Sequence, residues 1–147
     1  MKRIVFAGFA LLIAFHSFAW SGPDVQKVLQ QAIEQNFPNA ENVTWNTDAN
    51  GYTVSFSVKS ILTRISYDKK GKFTGSLRNY SEQMLPFYIT NMLKQKYPDH
   101  KIYGVTEITS AEDINYYVKL EGPKNWITVR IDNEGNNVVV EKYRKQK

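Results

Sequence analysis

Short motifs recur in this sequence at a nearly constant offset. Phe37-Pro38-Asn39 is matched 60 residues later by Tyr97-Pro98-Asp99, and Asp68-Lys69-Lys70-Gly71 is matched 64 residues later by Asp132-Asn133-Glu134-Gly135. The apolar patterns between these marks follow one order twice. A period of about 60 residues is longer than that of a typical solenoid repeat, so it describes a duplicated supersecondary unit rather than an open array. The expected fold is therefore α+β: two tandem helix-plus-four-strand repeats, about 23–80 and 85–144, forming one broad antiparallel sheet with both helices on one face. Joined in this way, each copy covers an edge that the other would leave exposed.

Local signals define the unit. Ser21-Gly22-Pro23-Asp24 is a helix start, with a hydroxyl cap, a proline whose missing N–H costs nothing there, and an acid at the positive end of the dipole. Val25, Val28, Leu29, Ala32 and Ile33 then follow the spacing of one helical face, and Pro38 ends it. Val43 and Trp45, then Tyr52, Val54, Phe56 and Val58, alternate with polar residues as half-buried strands do, with Asp48-Ala49-Asn50-Gly51 as the turn between them. A third strand through Ile65 and Tyr67 turns at Asp68–Gly71 into a fourth, running from Phe73 to about Arg78. In the second copy Pro86 opens a helix with Ile89, Met92 and Leu93 as its apolar positions. Tyr116, Val118 and Leu120, and then Ile127, Val129 and Ile131, supply the alternating strands.

The first residues stand outside this scheme. Lys2 and Arg3 precede an uncharged, mostly apolar run from Ile4 to Phe18, followed by small residues at Ser17 and Ala19. This pattern predicts a secretory signal over 1–19, cut after Ala19, with 20–147 as a single mature domain and no membrane span once the signal is gone. Removing two of the 19 basic residues against 14 acidic ones leaves 17 − 14 = +3. That charge is small and dispersed, dense only in the tail Lys142, Arg144, Lys145, Lys147, and does not fit a nucleic-acid footprint. With no cysteine, an exported chain of this kind must be held by packing alone.

Taken together, Phe37-Pro38-Asn39-Ala40-Glu41-Asn42-Val43-Thr44-Trp45, Gly51-Tyr52-Thr53-Val54-Ser55-Phe56, Tyr67-Asp68-Lys69-Lys70-Gly71-Lys72-Phe73, Leu85-Pro86 and Lys96-Tyr97-Pro98 resemble the periplasmic PepSY-like, β-lactamase-inhibitor-like proteins. The resemblance covers most of the mature chain through the order and spacing of these pieces. It implies a periplasmic location in a Gram-negative bacterium, two α+β repeats under a broad sheet with a curved open face, and no catalytic residues. PepSY-type units elsewhere act as inhibitory or chaperoning segments of secreted proteases, so the resemblance also implies a regulator of an exported hydrolase. Two departures stand out in the second copy: Gly122-Pro123-Lys124-Asn125 replaces a simpler turn, and no tryptophan matches Trp45.

The residues themselves offer little chemistry. His100 is the one histidine left after the signal, which is too few for the common zinc sets, and no alternating Asp/Asn run resembles a calcium loop. No metal and no cofactor is expected. Asp99-His100 has no Gly-x-Ser-x-Gly elbow to serve and reads as a solvated turn. Asp68 and Asp132 could be imagined as paired acids, but each opens a hairpin turn, where an aspartate bonds its own backbone. Asn42-Val43-Thr44 and Asn79-Tyr80-Ser81 match the glycosylation pattern, which carries no meaning in a bacterial export context. The expectation is a protein that is not an enzyme.

What remains is the sheet face turned away from the helices. If Val118, Leu120, Ile127, Val129 and Ile131 point to the helices, then Tyr117, Lys119, Trp126, Thr128 and Arg130 point away, joined from the first copy by Arg64 and Arg78 and the small residues Thr53, Ser55, Ser57 and Ser66. Large aromatics and arginines on a small polar background match the composition of binding surfaces, although cross-strand pairing on a solvated face produces the same composition. Trp45, in register with Val43, reads as core. Two functional classes follow: a module that binds a protein partner through the sheet face, or a binder of a small molecule, glycan or peptide in a helix–sheet cleft.

Overall fold

A computed structural model describes residues 23–146; the signal expected over 1–19 and the cap at Ser21 lie outside the described residues. Helix α1 (Pro23–Asn36) is followed by strands β1 (Glu41–Thr47), β2 (Gly51–Val58), β3 (Ile61–Asp68) and β4 (Phe73–Tyr80). A short 3₁₀ turn (Glu82–Met84), helix α2 (Phe87–Lys96) and strands β5 (Lys101–Ser110), β6 (Ile114–Glu121), β7 (Asn125–Asp132) and β8 (Asn137–Arg144) complete the chain. The strands form one open antiparallel sheet in the order β1 to β8, so every strand pairs with its neighbours in sequence. Among the described residues no helix is long and apolar enough to cross a membrane.

Both helices pack on the same face. The cross-strand row Phe56, Thr63, Arg78, Glu107, Tyr116, Ile131 runs from β2 to β7, and its two ends lie in the two cores. Val25, Leu29 and Ile33 of α1 close over Val54, Phe56, Ile65 and Tyr67. Ile89 and Leu93 of α2 close over Val105, Val118, Leu120, Ile127, Val129 and Ile131, with Tyr80 and Leu85 at the margin. Val28, expected on the buried stripe of α1, is 41% exposed, because the helix needs only the narrower 25/29/33 line to cover its strands. Val43 is likewise exposed: a bulge between Glu41 and Thr44, with Asn42 at φ 55°, breaks its register with Trp45, which does pack against the first core.

The two cores are separate. Between them the middle of the row is polar. Glu107 accepts hydrogen bonds from Tyr80 Oη (2.6 Å) and Arg78 Nη1 (3.3 Å), while Thr63 is 7% exposed beside them. Burial, and after it the bond to Glu107, pushes the Tyr80 phenol well above its ordinary range; burial and then Glu107 push Tyr116 up to about 12. No buried side-chain polar atom among the described residues lacks a partner.

Candidate functional site

The face opposite the helices is uncovered, and register assigns its residues. One row runs Leu62, Asn79, Thr106, Tyr117, Arg130, Val138, and the next runs Ser55, Arg64, Leu77, Ile108, Asn115. Tyr117, Lys119, Trp126, Thr128, Arg130 and Arg64 therefore share this face. Arg78 does not: it stands opposite Thr63 and Glu107 on the helix side. The cause is a register shift between Ser66 and Tyr67. Phe73 pairs with Tyr67 and packs on the first core, yet Gly75, two residues on, pairs with Ser66 on the open face. Counting by twos from Phe73 sends Arg78 outward; the extra residue sends it inward.

Trp126 is the centre of the densest cluster. Tyr103 meets it edge-on with ring centroids 5.0 Å apart, and Lys119 Nζ and Lys145 Nζ each lie 5.1 Å from its ring. Lys145 also pairs with Glu121 at 2.6 Å, which fixes one of the two cations over the indole. Beside this cluster lies a shallow concavity of about 710 Å³, lined by Tyr103, Gly104, Tyr117, Lys119, Thr128 and Val140 among others. Gly104 forms part of its floor, since a Cβ there would meet nothing within 4 Å. A second concavity of about 510 Å³ on the first half is lined by Thr44, Trp45, Thr53, Ser55, Arg64 and Ser66, where Arg64 Nε donates to Ser55 Oγ at 3.4 Å. One is aromatic and cationic, the other hydroxyl-rich with one guanidinium.

Tyr103, Gly104 and Lys145 are functional candidates that period-two reading missed. β5 shifts register between Ile102 and Gly104, so Tyr103 is the extra residue of a bulge, 65% exposed and aimed at Trp126. The glycine inside an extended segment was the available signal.

The charges of this face are unequally engaged. Glu121 holds Lys145, Glu141 accepts from Thr128 Oγ1 at 3.0 Å, and Asp132 is bound into its own turn. The ion pairs among the described residues are Arg78–Glu107, Lys94–Glu82 and Lys145–Glu121, so Arg64, Lys119 and Arg130 enter none. Outside the ion pairs, Arg64 donates to Ser55 and Lys119 lies over Trp126, while among the acids of this face Glu141 accepts from a hydroxyl and Glu41, opposite Ser57, enters no ion pair among the described residues.

The remaining titratable candidates are turn and packing groups. Asp68 Oδ1 accepts from Lys70 N (2.8 Å) and Lys72 N (2.9 Å); Asp132 Oδ1 accepts from Glu134 N (3.0 Å) and Asn136 N (2.9 Å). The Asn136 side chain, also bonded to Asp132, holds that carboxyl below its usual value. The two aspartates sit on β3 and β7 with three strands between them and do not converge. His100 Nε2 is 3.0 Å from Asn125 Oδ1, and its ring lies edge-on to Tyr97. Among the described residues no three His, Cys, Asp or Glu side chains gather as metal ligands would.

No family model matches this sequence, and no curated protein matches it. Solved structures do. A DUF2874-family protein from Bacteroides uniformis has a TM-score of 0.58 at 16% identity, over 85% of this chain and 90% of its own. A provisionally periplasmic protein from Bacteroides eggerthii has a TM-score of 0.58 at 15% identity, over 85% and 89%. A BLIP-like protein from Bacteroides fragilis has a TM-score of 0.56 at 12% identity, over 89% and 91%. At these identities the likeness is one of fold: this chain has the α+β architecture of BLIP-like proteins, its described residues forming one open sheet of eight antiparallel strands with two helices on one side.

Proposed function

We propose that this chain is a non-enzymatic periplasmic module that binds an acidic protein surface through the open face of its sheet, in the manner of an inhibitor or chaperone-like regulator of an exported hydrolase. The observation that carries the reading is the Trp126 cluster. An indole flanked by Tyr103, Lys119 and Lys145 sits beside a broad, shallow concavity, on a face that also carries Arg64 and Arg130 outside any ion pair. Rigid aromatic anchors with cations around them are the composition of energetically dominant interface residues. A shallow surface suits a protein better than a small molecule, which needs an enclosed pocket. The space between helices and sheet is filled by Phe56, Ile89, Leu93, Leu120 and Ile131, each under 2% exposed, which weighs against a ligand cleft there.

The signal-like N-terminus and the provisional periplasmic description of the B. eggerthii neighbour both favour export. The BLIP-like name of the B. fragilis neighbour favours an inhibitor-type role. Descent from a duplicated PepSY-like unit is favoured by the two aspartate turns, which repeat the same i+2 and i+4 hydrogen bonds around Gly71 (φ 78°) and Gly135 (φ 87°).

The test is a pull-down from periplasmic extract at low and high salt, beside a Trp126→Ala, Arg130→Ala double variant that melts like the parent. Capture of one partner that weakens with salt and is lost in the variant supports the reading, and hydrolase assays on that partner then decide inhibition. Equal capture by both forms rejects the open face as the binding surface.

A further inference from the structure

The concavity on the first half of the open face is built differently from the one beside Trp126. It lies on β1 to β3, where two cross-strand rows, Thr44–Ser55–Arg64 and Asn46–Thr53–Ser66, set five short polar side chains around one arginine. Side chains this short leave the surface low, which is what makes the hollow. At ordinary strand spacing the two rows cover about 10 by 7 Å. The bonds within it are long: Thr44 Oγ1 donates to the Ser55 carbonyl and Arg64 Nε to Ser55 Oγ, both at 3.4 Å. The Arg64 Nη groups and the side chains of Asn46, Thr53 and Ser66 enter no hydrogen bond among the described residues, and Arg64 enters no ion pair there. No acid is among the lining residues; Asp48 and Asp68, in the turns next along, each accept backbone N–H groups of their own turn.

We propose that this hollow binds a carboxylate-bearing sugar chain, its carboxylate on Arg64 and its ring hydroxyls on Asn46, Thr53 and Ser66. With Nε turned to Ser55, the guanidinium presents its Nη edge as a planar fork, the shape that matches a carboxylate. Hydroxyl and amide side chains both donate and accept, as sugar hydroxyls do, so the rest of the hollow suits a neutral polar ring rather than a second charge. The hollow is too open to enclose a free small molecule. A polymer needs no enclosure, because it seats a ring or two and continues into solvent, and β1 is a free edge of the sheet over which such a chain can pass. One nearby charge opposes it. Glu41 stands opposite Ser57, across the β1 bulge from Thr44, and enters no ion pair among the described residues. Trp126 lies on β7, four strands from Arg64, so this site goes beyond the protein-binding reading and stands or falls apart from it.

Titration with trigalacturonate, followed by amide chemical shifts, tests this. The expected result is a salt-sensitive set of shifts confined to β1, β2 and β3. Neutral galactotriose should bind about tenfold more weakly, and Arg64→Gln, at an exposed position, should cost trigalacturonate about the same factor, the share of one hydrogen bond to a charged group. Thr53→Val, which keeps shape and removes the hydroxyl, should weaken binding independently of Arg64. Glu41→Gln should tighten it, and Trp126→Ala should leave it unchanged. No binding at millimolar trigalacturonate, shifts centred on another part of the protein, equal affinity for galactotriose, or indifference to both Arg64→Gln and Thr53→Val would overturn the proposal. Inorganic phosphate bound as tightly as trigalacturonate would also overturn it, by assigning the hollow to a bare oxyanion.

Discussion

Replacing Glu107 by alanine should damage this protein more than removing a surface carboxylate ordinarily does. Its side chain is 14% exposed and accepts from the Tyr80 hydroxyl at 2.6 Å and from Arg78 at 3.3 Å. A hydrogen bond to a charged group contributes about 1.5–3 kcal/mol, and a buried donor left without an acceptor costs about 1–3 kcal/mol. Arg78 is 35% exposed and regains water, so its share is small. Taking the lower half of each range for Tyr80 gives a loss of about 3 kcal/mol. For a domain of this size that is a fall in melting temperature of roughly 10 °C. Urea unfolding followed by circular dichroism measures it. The decisive arm is a double-mutant cycle. Tyr80→Phe removes the donor that Glu107→Ala strands, so the double variant should be more stable than the sum of the two losses by about 1 kcal/mol or more. Additive losses would show that the bond between Tyr80 and Glu107 does not organise the centre of the sheet, and the account of the polar row would fail.

Gly51→Ala should cost about 3 kcal/mol or more, since a Cβ there would lie 2.0 Å from the Tyr67 carbonyl oxygen at φ 151°; thermal melts compared with Gly135→Ala, where space is open, separate the clash from the turn. Tyr67 and Tyr116 have folded pKa values of about 12, above their unfolded value, so the stability they contribute is full below pH about 10 and declines as pH rises through the folded values. Tyr116→Phe should flatten that alkaline decline in a pH series of melts. Asp132 has the opposite sign: its folded pKa is lowered, its contribution is present above pH about 4 and lost on acidification, and Asn136→Ala should reduce that acid-side loss. Gly104→Leu should leave the melting temperature within about 2 °C of the parent, because its Cβ meets open space, yet weaken partner capture by filling the concavity.

Much of the fold was legible because most strands keep strict alternation. Val54 and Phe56, Ile65, Val118 and Leu120, and Ile127, Val129 and Ile131 all fall on the helix side as their spacing requires. The failures cluster at irregularities. The shift beside Tyr67 reversed Arg78, the bulge at Tyr103 concealed the most exposed aromatic of the candidate site, and the bulge at Asn42 released Val43. Each inserts one residue and inverts every side chain beyond it, which no count along a single strand detects; only the pairing partner reveals it. The site was thus half visible. Trp126, Lys119, Tyr117 and Arg130 followed from regular strands, while Tyr103, Gly104 and Lys145 depended on register.

The polar row between the two cores also governs how this protein comes apart. Apolar burial is divided between two clusters, and where the row that joins them crosses from β4 to β5 it does so through Arg78 and Glu107, the neighbouring pair Tyr80–Val105 belonging to the second cluster alone. Because the strands are ordered β1 to β8 as the chain runs, either end can peel away without unthreading the other. Amide exchange should therefore resolve two cooperative units with different opening free energies, one closed by α1 and one by α2, the second more protected because its cluster holds more fully buried residues. A sheet that is continuous in its hydrogen bonds would then be discontinuous in its cooperativity, with the border at Glu107.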